Sequence, residues 1–437
     1  MLRSTYIRDM PEAPGDEAVI GGWVSRLKDL KNARFAWVTD KTGTVQITFA
    51  KGKTTEELFS FFDSLNLHDF VVVKGVVPEK RLAKNFKELL PKEIRIVGKA
   101  EKPLPIDVNN IFKAELETRL DWRSIAVREP KLMLALKAQS SFVEGIASYL
   151  NKHDFAIVFT PSIMGVASEG GSEVFPIVYY DKTTYLRQDP QLHRQLLMAA
   201  GMDKIYEIGP SWRAELSHTP RHLSEHRTCA AEISFIEDEH DVMRVEEEAV
   251  QSGVRNVAEK HKDELEEMGI QVTVPKVPFP ELDFPEVYDI LRELGRQTPK
   301  GKDLEHESEL ALAKYVKEKY DSEFFFINKF PFKAKPFYVM RYDDNPDYAR
   351  SFDLEYKGIE LSSGGQREHR YDKIIAQAKE KGISTESIMW FAKFFRYGAP
   401  PHGGFSLGIE RTVMQLLNMQ NILEVPAFPR TPERTVP

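Results

Sequence analysis

The 437-residue sequence predicts an α+β protein with a small N-terminal β-barrel, a hinge, and a larger domain in which helices flank an antiparallel sheet. Two observations lead to this prediction. Strand-like runs separated by turn signals fill the first hundred residues, with one helix-like segment among them. Further along, helices and strands do not alternate one for one, as a doubly wound parallel sheet would require. We therefore predict domains at 1–100 and 128–437, joined by a hinge at 101–127.

The order of elements in the N-terminal part indicates the type of barrel. The strand-like runs are Ala18–Leu27, Arg34–Thr39, Thr44–Phe49, Asp69–Val77 and Glu93–Val97. One helix-like segment, Thr54–Leu65, falls between the third and fourth runs. This order is that of an OB-fold, a five-stranded barrel that commonly binds single-stranded nucleic acid. The chain has a net charge of −7, yet residues 1–100 carry more Lys and Arg than Asp and Glu, as a nucleic-acid surface would.

The remainder of the chain begins with two prolines in 101–107, which oppose both helix and central strand and so mark the hinge. Apolar residues at helical spacing then predict a long amphipathic helix over 129–152. The strand-like runs that follow are Phe155–Phe159, Thr184–Arg187, Lys204–Gly209, Thr228–Ile236, Glu323–Ile327, Phe337–Arg341, Ser351–Tyr356 and Lys357–Ser362. No phosphate-loop motif of the Gly-x-x-x-x-Gly-Lys-Ser/Thr type occurs, so bound ATP would need another kind of site.

Composition narrows the class of protein. The single cysteine, Cys229, excludes an internal disulfide and predicts a reducing, cytoplasmic location. We expect neither a leader peptide nor a membrane partner, because no segment is apolar and long enough for either.

Three short stretches set arginine beside carboxylates or glycines. They are WRAE at 212–215 with TPRH at 219–222, ELSSGGQRE at 360–368, and GIER at 408–411. An arginine fork bridges two phosphate oxygens, and glycine lets the backbone approach a ligand. Together these stretches indicate a site that holds a phosphate, a metal ion and a small anion.

In this order and spacing, the three stretches resemble motifs 2 and 3 of a class II aminoacyl-tRNA synthetase. The resemblance is closest to aspartyl-tRNA synthetases of the archaeal and eukaryotic branch, and it extends over nearly the whole chain. Further matching pieces are GWV at 22–24, TRLD at 118–121, SEGG at 168–171, FDLEY at 352–356 and PHGGF at 401–405. The resemblance implies a homodimeric ligase that uses ATP and Mg²⁺ to join L-aspartate to tRNA(Asp), with tRNA(Asn) left open as a second substrate.

Two other classes of function stay open. One is a related enzyme, either an asparaginyl-tRNA synthetase or an asparagine synthetase of the same fold. The FDLEY run with SSGGQR speaks against the first, and the intact OB domain against the second. The other is a non-catalytic RNA-binding paralogue, which would be expected to have lost Arg213, Glu360 or Arg411; all three are present.

The resemblance also implies roles for residues at the nucleotide. Arg213 would bridge the α-phosphate and the aspartate carboxylate, and Arg411 would hold the γ-phosphate; these two are the predicted catalytic residues. Phe235 would stack on adenine, with the Arg411 guanidinium over the other face. Glu215 would contact the adenine amino group, and His222 a β- or γ-phosphate oxygen.

The rest of the predicted ATP and metal site comes from the same motifs. Arg221 and Gly408 belong to the ATP-binding set. Glu360 and Ser363 match the ligands of Mg²⁺, a hard cation that prefers oxygen ligands.

Seven residues make up the predicted aspartate-binding set: Glu169, Gln191, Arg194, Arg213, Asp353, Ser363 and Arg367. Arg367 matches the arginine that pairs with the substrate's side-chain carboxylate, and asparagine would leave that fork partly unsatisfied. The family's Gln-Ser-Pro-Gln-x-Tyr-Lys-Gln appears here with Asp189 in place of serine and Arg194 in place of lysine. Charge is kept at the lysine position, but shape is not.

Five residues of the barrel are predicted to contact the anticodon: Ser25, Lys28, Phe35, Gln46 and Lys84. Phe35 would stack on a base, although a phenylalanine at such a position, taken without the resemblance, is more often an ordinary residue of the barrel core. Ser25 and Lys84 occupy positions associated with the choice between tRNA(Asp) and tRNA(Asn). Pro161 resembles the motif 1 proline at the dimer interface.

Overall fold

The computed structural model describes residues 1–83, 85–165, 173–216, 219–302 and 304–437. It divides the chain into two units, Met1–Ala114 and Glu115–Pro437, and the predicted hinge spans this division.

In the described residues of the first unit there are five strands, one short helix and two 3₁₀ segments. They are β1 Glu17–Leu30, β2 Ala33–Asp40, β3 Gly43–Ala50, α1 Glu56–Phe61, the 3₁₀ segment Phe62–Ser64, β4 Phe70–Val76, β5 Lys87–Gly98 and the 3₁₀ segment Val108–Lys113. The strands close into a barrel in the order β1-β2-β3-β5-β4, which confirms the OB-fold. Alternate residues fill its interior, among them Val24, Val38, Ile47 and Val73.

The fifth strand begins at Lys87, six residues before its predicted start at Glu93. Lys87 pairs in parallel with Val45 of β3, and this pairing closes the barrel. The register between β4 and β5 shifts next to Gly75, where an added Cβ would lie 2.5 Å from the Leu90 carbonyl oxygen. This bulge breaks the alternation of side chains by which a strand is recognised in sequence.

The second unit is mixed α and β. Its helices are α2 Leu116–Asp121, α3 Arg123–Ala126, α4 Pro130–Lys152, α5 Gln191–Ala199, α6 Glu239–Lys260, α7 Lys262–Glu267, α8 Phe284–Glu293, α9 His306–Tyr320, α10 Tyr371–Glu380, α11 Thr385–Ala392 and α12 Ile409–Leu416. Its strands are β6 Ala156–Ile157, β7 Ile163–Met164, β8 Pro176–Tyr179, β9 Lys182–Leu186, β10 Lys204–Trp212, β11 Glu225–Ser234, β12 Glu281–Asp283, β13 Phe324–Asn328, β14 Ser351–Tyr356, β15 Ile359–Arg367 and β16 His402–Gly408. Its 3₁₀ segments are Phe332–Ala334, Lys393–Tyr397 and Ile422–Glu424.

Eight of these strands form one sheet in the order β12-β13-β14-β15-β16-β11-β10-β6, and β7-β9-β8 form a smaller one. The central pairs of the large sheet are antiparallel, as predicted, while the outermost pairs β12–β13 and β6–β10 are parallel.

Two long helices, α4 and α6, pack closely against each other. Gly145 and Gly253 allow this approach: an added Cβ would lie 2.6 Å from the Ser252 carbonyl oxygen or 2.7 Å from the Phe142 ring. Helix α4 begins where Glu129 accepts a hydrogen bond from the Leu132 amide, one residue after the predicted start. Within the described part of the chain, no helix combines the length and apolar character needed to cross a membrane.

One predicted strand was wrong, and the central strand β16 was not predicted. Phe337–Arg341 is not a strand, because Pro336 precedes it and Val339 makes only an isolated bridge to Arg367. Strand β16 was missed because its sequence, HGGFSLG, is poor in β-forming residues. A glycine is required in it: a Cβ on Gly404 would lie 2.1 Å from a carboxylate oxygen of Glu232.

Candidate active site

A cleft of about 390 Å³ is lined by residues of the central strands β10, β11, β14, β15 and β16, together with the start of α12. Because these strands are neighbours in the sheet, motifs distant in sequence meet here. The predicted site residues that line the cleft are Gln191, Arg213, Glu215, Arg221, His222, Asp353, Glu360, Ser363, Arg367, Gly408 and Arg411.

The remaining predicted residues of the second unit are Glu169, Arg194 and Phe235. Glu169 falls outside the described residues. Arg194 is 1% exposed and lies behind the cleft wall instead of lining it. Phe235 is 73% exposed and follows the last residue of β11, and its amide donates to the Pro401 carbonyl oxygen at 2.8 Å.

The predicted role of Phe235 requires a correction, because its ring and the Arg411 guanidinium cannot lie on opposite faces of the same adenine. The start of α12 adjoins the beginning of β11, where Gly408 pairs with Thr228. Phe235 lies beyond the other end of that strand, about 23 Å away at 3.3 Å per residue. His226 lines the cleft at the Arg411 end, and the sequence analysis had given it no role. Burial, together with Arg213 and Arg411, lowers the pKa of His226 to about 4, so the imidazole is neutral near pH 7.

We call the part of the cleft formed by Arg213, Glu215, Arg221, His222 and Arg411 the open end. The side chain of Arg213 is 50% exposed and donates a 3.0 Å hydrogen bond to Glu215. Arg411 Nη1 donates to the backbone carbonyl of Glu360 at 2.6 Å and lies 3.9 Å from its carboxylate. These partly exposed, loosely paired cations can bind the oxygens of a polyphosphate.

Several carboxylates beside the open end repel one another electrostatically. Burial raises the pKa of Glu355 well above its ordinary value, and the neighbouring Glu309, Glu360 and Asp353 raise it further. Burial also raises the pKa of Glu309, and Glu360 adds to that effect. Glu355 Oε2 is buried without a hydrogen-bond partner among the described residues. A divalent cation bound beside these carboxylates would relieve this repulsion.

We call the part formed by Gln191, Lys335, Asp353 and Arg367 the buried end. Arg367 is 5% exposed, and its Nε donates to Glu232 at 3.1 Å. Its Nη2 donates to the Gln191 side-chain oxygen at 3.1 Å and to the Gly404 carbonyl at 2.8 Å. No hydrogen bond joins Nη1 to another described residue, so this corner of the fork is available to a ligand in the cleft.

Two more ion pairs border the buried end. Arg194 Nη2 donates to both carboxylate oxygens of Asp189, at 2.7 and 2.8 Å. Lys335 donates to both oxygens of Asp353, at 2.8 and 2.7 Å. Lys335 was not predicted as a site residue, because the segment that carries it forms no regular strand. Its only sequence signal is a lysine among apolar residues near an aromatic run.

The four described residues of the predicted anticodon set, Ser25, Lys28, Phe35 and Gln46, lie on β1, β2 and β3. Lys28 is the register partner of Phe35, and Gln46 that of Trp37. The Arg26 guanidinium lies over the Trp37 ring at 4.8 Å, an aromatic–cationic surface that the sequence analysis did not predict.

Ser25 lies at a register shift in β1, and its hydroxyl donates to the Trp37 carbonyl at 3.2 Å. Lys84 falls outside the described residues.

Comparison with known proteins bears on both units. The family model of class II tRNA synthetases (D, K and N) matches residues 115–432, and that of the OB-fold nucleic acid binding domain matches residues 18–97. The chain is 44% identical to an aspartate–tRNA(Asp) ligase of Pyrococcus furiosus and 39% identical to an aspartate–tRNA(Asp/Asn) ligase of Methanopyrus kandleri, each match covering 100% of both chains.

A solved structure of a tRNA synthetase has the same fold. Asparaginyl-tRNA synthetase from Pyrococcus horikoshii, complexed with asparaginyl-adenylate, superposes with a TM-score of 0.90 at 31% identity, over 97% of each chain. The family model covers most of the chain, and the curated relatives match it from end to end. This chain therefore belongs to the class II tRNA synthetase family.

Proposed function

We propose that this protein is an aspartate–tRNA ligase, which activates L-aspartate with ATP and transfers it to the 3′ end of tRNA(Asp). The observation that carries the proposal is the arginine fork of Arg367, buried in the same cleft as Arg213 and Arg411. A buried cation favours a carboxylate over the neutral amide of asparagine. The relatives named as aspartate–tRNA ligases along their whole length support the same substrate.

Activation is an in-line attack of the aspartate α-carboxylate on the α-phosphate of ATP, with loss of pyrophosphate. The nucleophile is already ionised, so the protein needs no general base; it must align the reactants and stabilise the developing charge. Arg213 is proposed to bind the α-phosphate and the attacking carboxylate. Arg411 is proposed to bind the γ-phosphate and hold the leaving group in line.

The metal is proposed to be Mg²⁺, held by Glu360 and Ser363, which both line the cleft. The neighbouring carboxyl groups of Glu309 and Glu355 have raised pKa values, so negative charge is disfavoured here until a cation binds. When bound, the cation would neutralise phosphate charge and so assist departure of pyrophosphate.

The barrel is proposed to bind the anticodon through the surface that includes Lys28, Phe35 and Gln46. An aromatic ring beside cations suits unstacked bases. Lys84 is proposed to favour C over U at the third anticodon base, because a lysine donor suits the two acceptors of C. Ser25 lacks the bulk to exclude the wrong base, so the expected preference for tRNA(Asp) over tRNA(Asn) is incomplete. Equal charging of both transcripts, or an unchanged ratio in Lys84→Pro, would remove this role.

We further propose a homodimer that forms through the β6 edge of the large sheet. Ile157 and Phe159 are 49% and 82% exposed there, and Val178 in the small sheet is 88% exposed. Exposed apolar side chains of this size mark interaction surfaces. Sedimentation at micromolar concentration should give twice the monomer mass, and a monomer would contradict the proposal.

The decisive experiment is amino-acid-dependent exchange of pyrophosphate into ATP, measured with L-aspartate, L-asparagine and L-lysine, followed by charging of tRNA(Asp) and tRNA(Asn). We expect exchange with aspartate alone. Exchange with asparagine alone would identify an asparaginyl enzyme, and tRNA binding without any exchange would identify a non-catalytic paralogue.

A further inference from the structure

A chain of four side chains, Asp189, Arg194, Gln191 and Arg367, leads into the buried end from Asp189 in the cleft wall. Asp189 accepts from Arg194, and the same Arg194 Nη2 also donates to the Gln191 side-chain oxygen at 3.0 Å. That oxygen accepts a second hydrogen bond, from Arg367 Nη2, at 3.1 Å. Two guanidinium groups therefore share one amide oxygen.

This sharing fixes the orientation of the Gln191 amide. With its oxygen between the two arginines, its nitrogen faces Glu232 and donates to it at 2.9 Å. Glu232 is fully buried and also accepts from Arg367 Nε. The plane of the Arg367 fork is therefore held by Glu232 and Gln191 together, and its Nη1 is directed by that plane.

The position of Gln191 depends in turn on Arg194, whose charge must be balanced. Arg194 is 1% exposed, and its distance to the next carboxylate, Glu207, is 3.9 Å. Asp189 is 20% exposed and lines the cleft, so it is the partner that can hold the guanidinium on the cleft side. Without the Asp189 charge, Arg194 would be drawn toward Glu207 or Glu232 and would pull on the shared amide oxygen.

We infer that Asp189 is a positioning residue for selection of the amino acid: through Arg194 and Gln191 it orients Arg367 toward the substrate's side-chain carboxylate. This inference rests on the proposed activation of aspartate. It also explains two departures from the family pattern, Asp189 for serine and Arg194 for lysine, as a pair of residues that act together.

The test is a double-mutant cycle on pyrophosphate exchange at saturating ATP, with the native chain, Asp189→Ser, Arg194→Lys and the double variant. We expect each single change to raise the KM for aspartate at least tenfold and to lower the aspartate-to-asparagine ratio of kcat/KM. The double variant should return to within about threefold of the native values. It restores the serine and lysine of the family pattern together, and coupled residues give non-additive effects. The KM for ATP should stay unchanged throughout.

Single-variant effects that multiply in the double variant would overturn the inference, as would an unchanged aspartate-to-asparagine ratio in Asp189→Ser. A merely structural role would lower thermal stability and active-site concentration without moving that ratio. If Asp189→Ser fails to fold, Asp189→Asn, which keeps the shape and one acceptor, provides the same measurement. Absence of aspartate-dependent exchange by the native chain would instead contradict the proposed function.

Discussion

The two ends of the cleft use arginine in different ways. At the open end Arg213 is half exposed and pairs with a partly exposed Glu215, whereas at the buried end Arg367 is 5% exposed and bound to the fully buried Glu232. A polyphosphate brings its own charge and can draw solvated cations into place. Selection between a carboxylate and an amide needs donors that are fixed and dry before the ligand arrives. The difference in burial thus matches the difference between binding a charged nucleotide and discriminating a small amino acid.

Replacing an arginine should reduce stability most at the buried end, where the guanidinium is paired with a buried carboxylate. Arg367→Gln leaves the Glu232 carboxylate buried without its cation, and we expect it to lower the free energy of unfolding by about 3–5 kcal/mol. The matched change at the open end, Arg213→Gln, should alter it by less than about 0.5 kcal/mol. Urea unfolding of both variants at pH 7 measures this, and similar losses would show that the two ends do not differ.

The open end should show the opposite pattern, with large effects on rate and small ones on stability. Arg213→Ala and Arg411→Ala each remove a cation from the site of developing negative charge, where one such contact lowers the barrier by about 3–4 kcal/mol. We expect kcat for pyrophosphate exchange to fall by at least about a hundredfold while the unfolding midpoint stays unchanged. Near-native exchange by either variant would remove the proposed mechanism.

The two ends should differ in how their histidines make stability depend on pH, with His402 near Arg367 of the buried end and His222 at the open end. Burial, with Arg367 and His369 nearby, lowers the pKa of His402 to about 4 from 6.5, although Glu232 opposes this shift. The unfolded chain binds a proton at His402 below about pH 6.5, and the folded chain does so only near pH 4. Stability is therefore lost as pH falls through this window, by about 2 kcal/mol between pH 7 and 5.

His402→Gln should lose correspondingly less stability than the native chain over that interval. Burial also lowers the pKa of His222 at the open end, but its side chain is 33% exposed. His222→Gln should therefore change the pH dependence less. Unfolding curves for the three proteins at pH 7 and pH 5 provide the measurement, and equal slopes for native and His402→Gln would contradict the assignment.

Much of the fold followed from the sequence because its signals are local. The α4 helix and the β14 strand have regular spacing of apolar residues, and they end where predicted. Strand β16 did not follow, since its glycines carry no strand signal of their own: Gly404 is present for close packing against β11, and Gly403 for close packing against Gly365 of β15 and Val242 of α6. The parallel outer pairs of the sheet depend on contacts between distant segments, which spacing along the chain does not report.

Location in the cleft was predictable where a residue belongs to a recognisable motif, as with Arg213, Glu360 and Arg411. It was not predictable where side chains meet from separate elements. Arg194 matched the position of a substrate contact, but its partner Asp189, five residues earlier, holds it behind the cleft wall. Lys335 lies in an irregular segment, so no periodicity pointed to the cleft. Which buried charged side chains form ion pairs depends on how the elements pack together, and no single stretch of sequence reports it.

The smallest predicted effect concerns binding of the adenine base of ATP. It follows from the position of Phe235, which lies too far from Arg411 to stack on that base. His226 lines the cleft near Arg411 and is neutral at pH 7, so its ring can stack on adenine beneath the guanidinium. We expect His226→Ala to raise the KM for ATP about fivefold, as loss of about 1 kcal/mol of ring stacking predicts, with the KM for aspartate unchanged. Phe235→Ala is the matched control and should leave both constants at native values, because its ring lies beyond the far end of β11 and is 73% exposed. A rise in the KM for ATP with Phe235→Ala and none with His226→Ala would reverse the assignment and return the stacking role to Phe235.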